Sequence, residues 1–180
     1  MTVDLSAFAR WPDVPACYGW LALDRRGEWR LQGERVSHRG LIDFINRQYC
    51  CDETGCWLVY NGPQRVFVEL AGTPWIFRRD VSGFVSHTGA DAGKVQAVLL
   101  DDGGSVLLQT ELGIGLLDDR DLPAFLAECR DGEGQPAGDE ALLSLLAGKE
   151  QSVFWNDHRL LTIAAAELAQ RYGFNPRPQS

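Results

Sequence analysis

Three cysteines lie close together in the sequence, at Cys50, Cys51 and Cys56. Thiolates at short spacing can bind zinc, which needs four ligands, or act as nucleophiles, which need a neighbouring base. The spacing is not C-x-x-C, and no H-x-x-x-H pair completes a ligand set. We therefore predict no metal site and no cofactor. A thiol-dependent or hydrolytic enzyme that pairs one of these cysteines with a histidine brought near by folding remains the alternative hypothesis.

The three histidines form no catalytic pattern. His38 precedes a predicted helix, His158 lies in a predicted hairpin turn, and His87 lies in a predicted connector, where it is the least constrained of the three. Acidic residues at 118–121 and 101–102 suit a helix N-terminus and a tight turn. They lack the alternating ligands of a calcium loop. The sequence predicts no catalytic residue.

Two features are candidates for binding an anion. Arg39 and Arg65 in the first half match Arg120 and Arg159 in the second, and guanidinium groups fit carboxylates and phosphates. These four arginines can form symmetry-related salt bridges, which we favour, or they can line a shared cleft and contact an anionic ligand. Residues 113–115, Gly-Ile-Gly, lack the lysine and the further glycine of phosphate-binding loops, so they predict no nucleotide site.

The composition excludes several classes of protein. The net charge is −8, and the second half of the chain carries the excess of acidic residues, so we expect no nucleic-acid binding. No run approaches the roughly 20 apolar residues of a membrane helix. The first residues do not resemble a signal peptide. Five cysteines, an odd number, indicate free thiols, and we expect a cytoplasmic protein.

Alternating apolar residues around turns predict four β-hairpins. They lie at 19–32, 56–70, 95–110 and 151–163. Pro63, in the second hairpin, argues for a loop longer than two residues. Residues 75–77 follow Pro74 and predict an edge strand, because proline cannot donate to a central ladder.

A helix is predicted between the two hairpins of each half. The first runs from Ser37, as N-cap, to Tyr49, with apolar residues at i, i+3 and i+4. The second takes Asp118 as its N-cap and tolerates Pro123 in its first turn, where backbone N–H groups lack partners. Residues 130–138 predict a mobile polar loop. Helices at 139–147 and 164–172 follow.

Blocks of the two halves match in the same order along the chain. Residues 20–32 align with 97–109, residues 39–44 with 120–125, and residues 58–61 with 153–156. We therefore predict an α+β fold of two repeated hairpin–helix–hairpin units with antiparallel sheets in a pseudo-twofold arrangement, the units sharing a core. The predicted parts are an N-terminal segment (1–17), the first unit (18–80), a connector (81–94), the second unit (95–173) and a tail (174–180).

The motifs of the first unit also resemble a known family. They are Leu23–Trp29, which reads L-D-x-x-G-x-W, the helix start Leu41–Asn46, the strand Trp57–Val59, and Thr73–Trp75. This layout resembles a family of small uncharacterised proteobacterial proteins, a domain of unknown function built from two repeated α+β motifs. The resemblance covers residues 18–80 and reaches the second half through the repeat. It implies a role in signalling or ligand sensing and supplies no catalytic residues.

Together these observations predict a non-enzymatic module that binds a small anionic ligand or a partner protein, with a regulatory or signalling role. A pocket between the two units would carry the four matched arginines. Three tryptophans at the ends of elements, Trp11, Trp20 and Trp75, are candidates for a groove or a homodimer surface. Trp29, Trp57, Phe67 and Phe154 are predicted core residues.

Overall fold

A computed structural model describes residues 12–180, which form two β-sheets and four α-helices. The strands are β1 (Ala16–Leu23), β2 (Trp29–Leu31), β3 (Glu34–Arg35), β4 (Tyr49–Cys51), β5 (Trp57–Asn61), β6 (Gln64–Leu70), β7 (Trp75–Asp80), β8 (Gly83–Ser86), β9 (Val95–Asp101), β10 (Val106–Thr110), β11 (Ile114–Leu117), β12 (Arg130–Asp131), β13 (Val153–Trp155) and β14 (His158–Ile163). The helices are α1 (Arg39–Gln48), α2 (Leu122–Ala127), α3 (Asp139–Leu146) and α4 (Leu168–Tyr172), the last preceded by a 3-10 turn at Ala165–Glu167.

The two sheets contain six and eight strands. Their orders are β3-β2-β1-β6-β5-β4 and β12-β13-β14-β9-β10-β11-β7-β8. Most neighbours are antiparallel, but β1 with β6, β9 with β14 and β7 with β11 are parallel. A parallel neighbour requires a long crossover, and a helix lies in the chain between β1 and β6 and between β9 and β14. The α+β class is confirmed, and the sheets are dominated by antiparallel pairs rather than wholly antiparallel.

Six neighbouring strands of the larger sheet have the same order as the smaller sheet. Read as β11-β10-β9-β14-β13-β12, they pair in the same sense at each step as β3-β2-β1-β6-β5-β4. The first hairpins agree in register, since Leu23 faces Trp29 as Leu100 faces Val106. The last hairpins close with Asn61 opposite Gln64 and with Trp155 opposite His158, whereas the sequence alignment of residues 58–61 with 153–156 places Asn61 on Asn156.

Strand β7 does not lie at an edge, contrary to the expectation for residues 75–77. It pairs with β11 on one side and β8 on the other. The preceding proline, Pro74, lies just outside the ladder, so its missing N–H does not disturb the pairing. The predicted connector, residues 81–94, contains β8. The loop between β5 and β6 is also shorter than predicted, because only Gly62 and Pro63 separate the pair Asn61–Gln64.

Four turns share one pattern, in which an aspartate is followed three residues later by glycine. Asp24, Asp52, Asp101 and Asp131 each accept, through Oδ1, hydrogen bonds from the backbone N–H groups two and four residues further on. The glycine has a positive φ, 77° at Gly27 for example, which most residues adopt only with strain. These Asx-type turns set where the chain folds back at these four places.

The hydrophobic core lies in two layers. The larger cluster lies between the two sheets and contains Leu21 and Val66 from one and Leu99 and Leu107 from the other. The second cluster combines Val98 and its neighbours with α2 and α3. Strands β9 and β10 are therefore buried on both faces, which explains their nearly continuous apolar sequence. Residues of the two sheets thus pack together in one core cluster.

The C-terminal residues lie against the smaller sheet. Helix α4 ends at Gly173, in the left-handed conformation, as the sequence predicts. Asn175 N then donates to Gly55 O at 2.8 Å, and Leu70 N donates to Pro176 O at 2.9 Å. Phe174 is buried in the core between the sheets. The predicted tail is thus part of the packed structure.

Both predicted N-caps are wrong. Helix α1 takes His38 as its N-cap, and His38 Nδ1 accepts a hydrogen bond from Leu41 N. Helix α2 begins at Leu122, after Asp121, and Pro123 lies in its first turn as predicted. Asp118 is instead fully buried ahead of the helix, where it binds Arg120.

The turn glycines give a matched pair of variants. Gly27 and Gly104 have φ values of 77° and 80°, but only Gly27 is crowded, because an added Cβ would lie 2.6 Å from His87 Cβ. We expect G104A to lose about 1–2 kcal/mol from left-handed strain. G27A should lose at least about 1 kcal/mol more, because it also creates an overpacked contact. Urea unfolding measures both losses, and equal values would contradict the contact.

Candidate functional site

Two adjoining pockets open between the sheets, where the turn after β1 meets the turn after β9. Their volumes are about 330 and 250 Å³, and Arg25 and Leu116 line both. The first pocket is bounded by the end of β6, by β10, by the C-terminal helix and by the segment after it. The second lies between the two turns and the start of α2. We call the two together the inter-sheet cleft.

The walls of the inter-sheet cleft are largely apolar, with a few charged groups. The apolar residues of the larger pocket include Leu70, Leu107, Leu116, Leu168 and Phe174. Its charged residues are Arg25, Asp101 and Arg177. An apolar pocket with a few convergent polar groups is the usual form of a small-molecule site.

Arg25 and Arg26 lie side by side in one turn but have different partners. Arg26 forms an ion pair with Asp119 at 2.8 Å, which joins the two sheets at the surface. Arg25 Nη2 donates to Ser105 Oγ at 2.7 Å, in the opposing turn. Among residues 12–180, no carboxylate lies within ion-pair distance of Arg25 or of Arg177. The inter-sheet cleft therefore presents two arginines without counter-ions in the described structure.

The four arginines predicted as ligand contacts line neither pocket of the cleft. Arg39 is the exposed first residue of α1, and Arg159 is exposed on β14. Arg65, on β6, lies over the ring of Phe67 at 5.6 Å. Their role as ligand contacts stays a prediction, and the cations of the inter-sheet cleft are Arg25 and Arg177.

Arg120 forms a salt bridge with Asp118. Its Nε donates to the buried Asp118 carboxylate at 2.9 Å, and Arg78 Nε lies 3.9 Å from the same group. Burial alone would raise the pKa of Asp118, but hydrogen bonds and charge from Arg120 and Arg78 lower it overall. The interaction is local, within one loop, and does not join equivalent places in the two sheets.

The cysteine cluster lies at the edge of the smaller sheet. Within residues 12–180 all five cysteines are free. Burial, followed by the charge of Asp52, raises the pKa of Cys50 and of Cys51. Cys56 accepts a hydrogen bond from Asn175 Nδ2 at 3.6 Å. A raised pKa disfavours the thiolate, which is the reactive form, so these two thiols lack the activation that a nucleophile needs.

His87 is far more constrained than its sequence position indicates. Its Nδ1 accepts from Ile76 N at 3.3 Å, so the neutral ring carries its hydrogen on Nε2. Nε2 is buried and has no hydrogen-bond partner among the described residues. Trp29, Tyr49 and Trp75 surround the ring, with centroid distances of 5.3, 5.5 and 5.7 Å. Burial lowers the pKa of His87 to about 3, so the imidazole is neutral near pH 7.

The tryptophans predicted at the surface are partly buried. Trp75 packs against Trp57 and His87 where the two sheets meet. Trp20 packs against the core between the sheets. Trp11 lies outside the described residues. Among the predicted core residues, Trp29 and Phe67 are buried, whereas Trp57 and Phe154 are half-buried.

Residues 12–180 contain neither a cluster of metal-ligating side chains nor a membrane-spanning helix. These residues contain no group of three or more His, Cys, Asp or Glu side chains placed to hold a metal ion. In the same range, no helix has the length and apolar character needed to cross a bilayer.

Sequence reasoning missed Arg25, Asp101 and Arg177. Arg25 and Asp101 stand in turns that were assigned a structural role only. The signal that was present is the change of charge between matching turns, since Asp24-Arg25-Arg26-Gly27 aligns with Asp101-Asp102-Gly103-Gly104.

Comparison with known proteins identifies the family. The family model DUF2944, described as "Protein of unknown function (DUF2946)", matches residues 2–179, so the chain belongs to this family. A DUF1285 family protein from Silicibacter pomeroyi DSS-3 is similar over 88% of this chain and 87% of that chain, at 12% identity and a TM-score of 0.54. One from Shewanella baltica OS155 covers 59% and 90%, at 18% identity and a TM-score of 0.44. The first likeness shows the fold alone. No curated protein matches.

Because His87 is buried in its neutral form, we expect the free energy of unfolding to decrease in acid. The unfolded chain binds a proton at His87 below about pH 6.5, but the folded chain does so only below about pH 3. Protons then favour the unfolded state, so stability is lost as pH falls through this window, by up to about 1.4 kcal/mol per pH unit. Urea unfolding at pH 7 and 5 should show a larger loss for the native protein than for H87L. Equal losses would contradict the buried, neutral imidazole.

The thiols give a second prediction. We expect iodoacetamide to modify Cys50 and Cys51 at pH 7 no faster than it modifies glutathione, because the pKa of each is raised. Peptide mass spectrometry over time measures each rate, with urea-unfolded protein as the control. A cysteine that reacts much faster than glutathione would instead favour the thiol-enzyme hypothesis.

Proposed function

We propose that the protein is a non-enzymatic binding protein that takes a small anionic ligand with an apolar body in the inter-sheet cleft. The observation that carries the proposal is Arg25, a cation without a carboxylate partner in the described structure, which lines both pockets of a cleft whose larger pocket is mostly apolar. Within residues 12–180, one of its N–H groups is used, on Ser105. The remaining N–H donors of the guanidinium form a planar fork, which fits the oxygen atoms of carboxylate and phosphate groups.

The position of the cleft supports a regulatory or signalling role. Its walls come from both sheets, and Arg25 already contacts the opposing turn at Ser105. A ligand bound to Arg25 would touch both turns, and it would favour whichever arrangement of the sheets fits it better. A difference in affinity between two arrangements is what a regulatory ligand requires.

We also propose that the two sheets contain two copies of one structural unit in a pseudo-twofold arrangement. The shared strand order and the shared register of the first hairpins support this. The paired aspartate turns support it as well, because Asp24 matches Asp101 and Asp52 matches Asp131 in their hydrogen bonds. Under this proposal the inter-sheet cleft is a place where equivalent turns of the two copies meet.

A cytoplasmic location in a bacterium is part of the same proposal. The free cysteines of the described residues support a reducing compartment. A partner protein and a homodimer remain predictions, and sedimentation velocity of the purified protein measures the second directly.

The binding proposal is tested with Arg25→Ala. The probe is a panel of carboxylates and phosphate monoesters of four to ten carbon atoms, titrated by calorimetry. Native mass spectrometry of the protein as purified reports any ligand already bound. We expect R25A to weaken binding about tenfold or more, because a hydrogen bond to a charged group contributes about 1.5–3 kcal/mol.

The matched controls are R65A and R159A, which remove arginines that do not line the cleft. Both should bind as the native protein does. Binding that survives R25A, or that is lost in R65A or R159A, would overturn the assignment to the inter-sheet cleft. An absence of any bound species and of any binding in the panel would overturn the proposal and favour a protein partner.

A further inference from the structure

Two matching turns of the fold hold their aspartates differently. Asp24 and Asp101 each accept two backbone hydrogen bonds through Oδ1. In the first turn, Asp24 Oδ2 also accepts from Arg30 Nε at 3.0 Å, which neutralises the carboxylate. In the second turn, Asp101 Oδ2 has neither a hydrogen bond nor an ion pair to any described residue.

The register explains the difference. Arg30 pairs with Ala22 in the first hairpin, and the equivalent pair in the second hairpin is Leu107 with Leu99. Leucine therefore stands where the first hairpin has its neutralising arginine. Leu107 and Asp101 both line the inter-sheet cleft.

Asp101 is consequently a buried carboxylate without a counter-ion in the described structure. It is only 4% exposed, yet it lines the larger pocket. Its unpartnered Oδ2 is accessible to solvent from the pocket, because among the described residues the only buried side-chain nitrogen or oxygen atom without a partner is His87 Nε2. The same pocket holds Arg25, whose guanidinium lies beyond ion-pair distance of Asp101. The pocket thus contains an acidic and a basic group that do not neutralise each other.

We propose that the ligand of the inter-sheet cleft is a zwitterion of the free amino-acid class. Its ammonium group donates to Asp101 Oδ2, its carboxylate accepts from Arg25, and its side chain packs against the apolar wall around Leu107 and Phe174. This inference rests on the proposed function and specifies its ligand. Asp101 is then the residue that distinguishes an amino acid from a simple organic acid.

A nitrogen cation fits this place better than a metal ion. Calcium takes six to eight oxygen ligands, and magnesium takes six. Asp101 belongs to no group of three or more metal-ligating side chains within residues 12–180. An ammonium group, in contrast, is satisfied by one carboxylate and a few further acceptors.

The test uses the native protein and matched sets of compounds. The twenty standard amino acids are screened by thermal shift. The strongest binder is then titrated by calorimetry beside its des-amino acid and its decarboxylated amine; for L-phenylalanine these are 3-phenylpropanoate and 2-phenylethylamine. We expect each of the two truncated compounds to bind about tenfold or more weakly than the amino acid, because each lacks one charge-assisted hydrogen bond.

The variant Asp101→Asn tests whether Asp101 is the residue that distinguishes an amino acid from its des-amino acid. Asparagine can keep both turn hydrogen bonds through its amide oxygen while removing the charge. D101N should bind the amino acid about tenfold more weakly and bind the des-amino acid at least as well as the native protein. The control is D131N, which makes the same change in a turn of the same kind, whose residues 131–135 line neither pocket. It should leave both affinities unchanged.

The outcomes separate the two proposals. If des-amino acids bind as tightly as amino acids, or if D101N leaves their ratio unchanged, the zwitterion assignment is wrong and the anion-binding cleft stands. If the amine binds as tightly as the amino acid, Arg25 has no role and the proposed function is wrong. If none of these compounds binds, and the carboxylate and phosphate panel also fails, both are wrong. The comparison of compounds needs no variant, so it remains decisive even where D101N does not fold.

Discussion

The fold depends on a carboxylate that holds the backbone of its own turn. In four turns an aspartate accepts two N–H groups while a glycine three residues later takes a positive φ. This geometry fixes which residues face each other across the hairpin, and a slip of one residue would move every apolar side chain to the opposite face of the sheet. The two-layer core follows from this register. Strands β9 and β10 can contribute to both layers only because alternate residues point to opposite faces.

The same interaction connects architecture with the candidate site. The turns at Asp24 and Asp101 meet between the sheets, so a motif that determines hairpin register also forms part of the cleft wall. Arg30 neutralises the carboxylate of Asp24 within the first hairpin. The carboxylate of Asp101 instead lines the inter-sheet cleft without such a partner among the described residues. A single difference on the neighbouring strand, arginine against leucine, separates a carboxylate with a counter-ion from one without a counter-ion among the described residues.

The hairpins and helices were predictable, because period-two patterns, glycine turns and the apolar stripe of α1 are local signals. Strands of two to four residues, such as β3, β8 and β12, are too short to show a period. The pairing of β7 with β11 was not predictable, since it joins residues far apart in sequence. The N-cap of α1 was misplaced by one residue, because Ser37 and His38 both offer an acceptor. The candidate site depends on how two turns meet in space, so local patterns pointed to Arg39, Arg65, Arg120 and Arg159 and missed Arg25.

The return of the C-terminal segment to the smaller sheet has a consequence for synthesis of the chain. Phe174 completes the core between the sheets, and Asn175 and Pro176 bond to Gly55 and Leu70. Residues 174–176 are therefore needed to finish a sheet whose strands are translated well before them. A nascent chain that has left the ribosome only as far as β8 exposes the apolar face that Phe174 and β10 later cover, and such surfaces attract chaperones or aggregate. Many contacts of high sequence separation also slow folding, and the native core can close only after residues 174–176 have emerged.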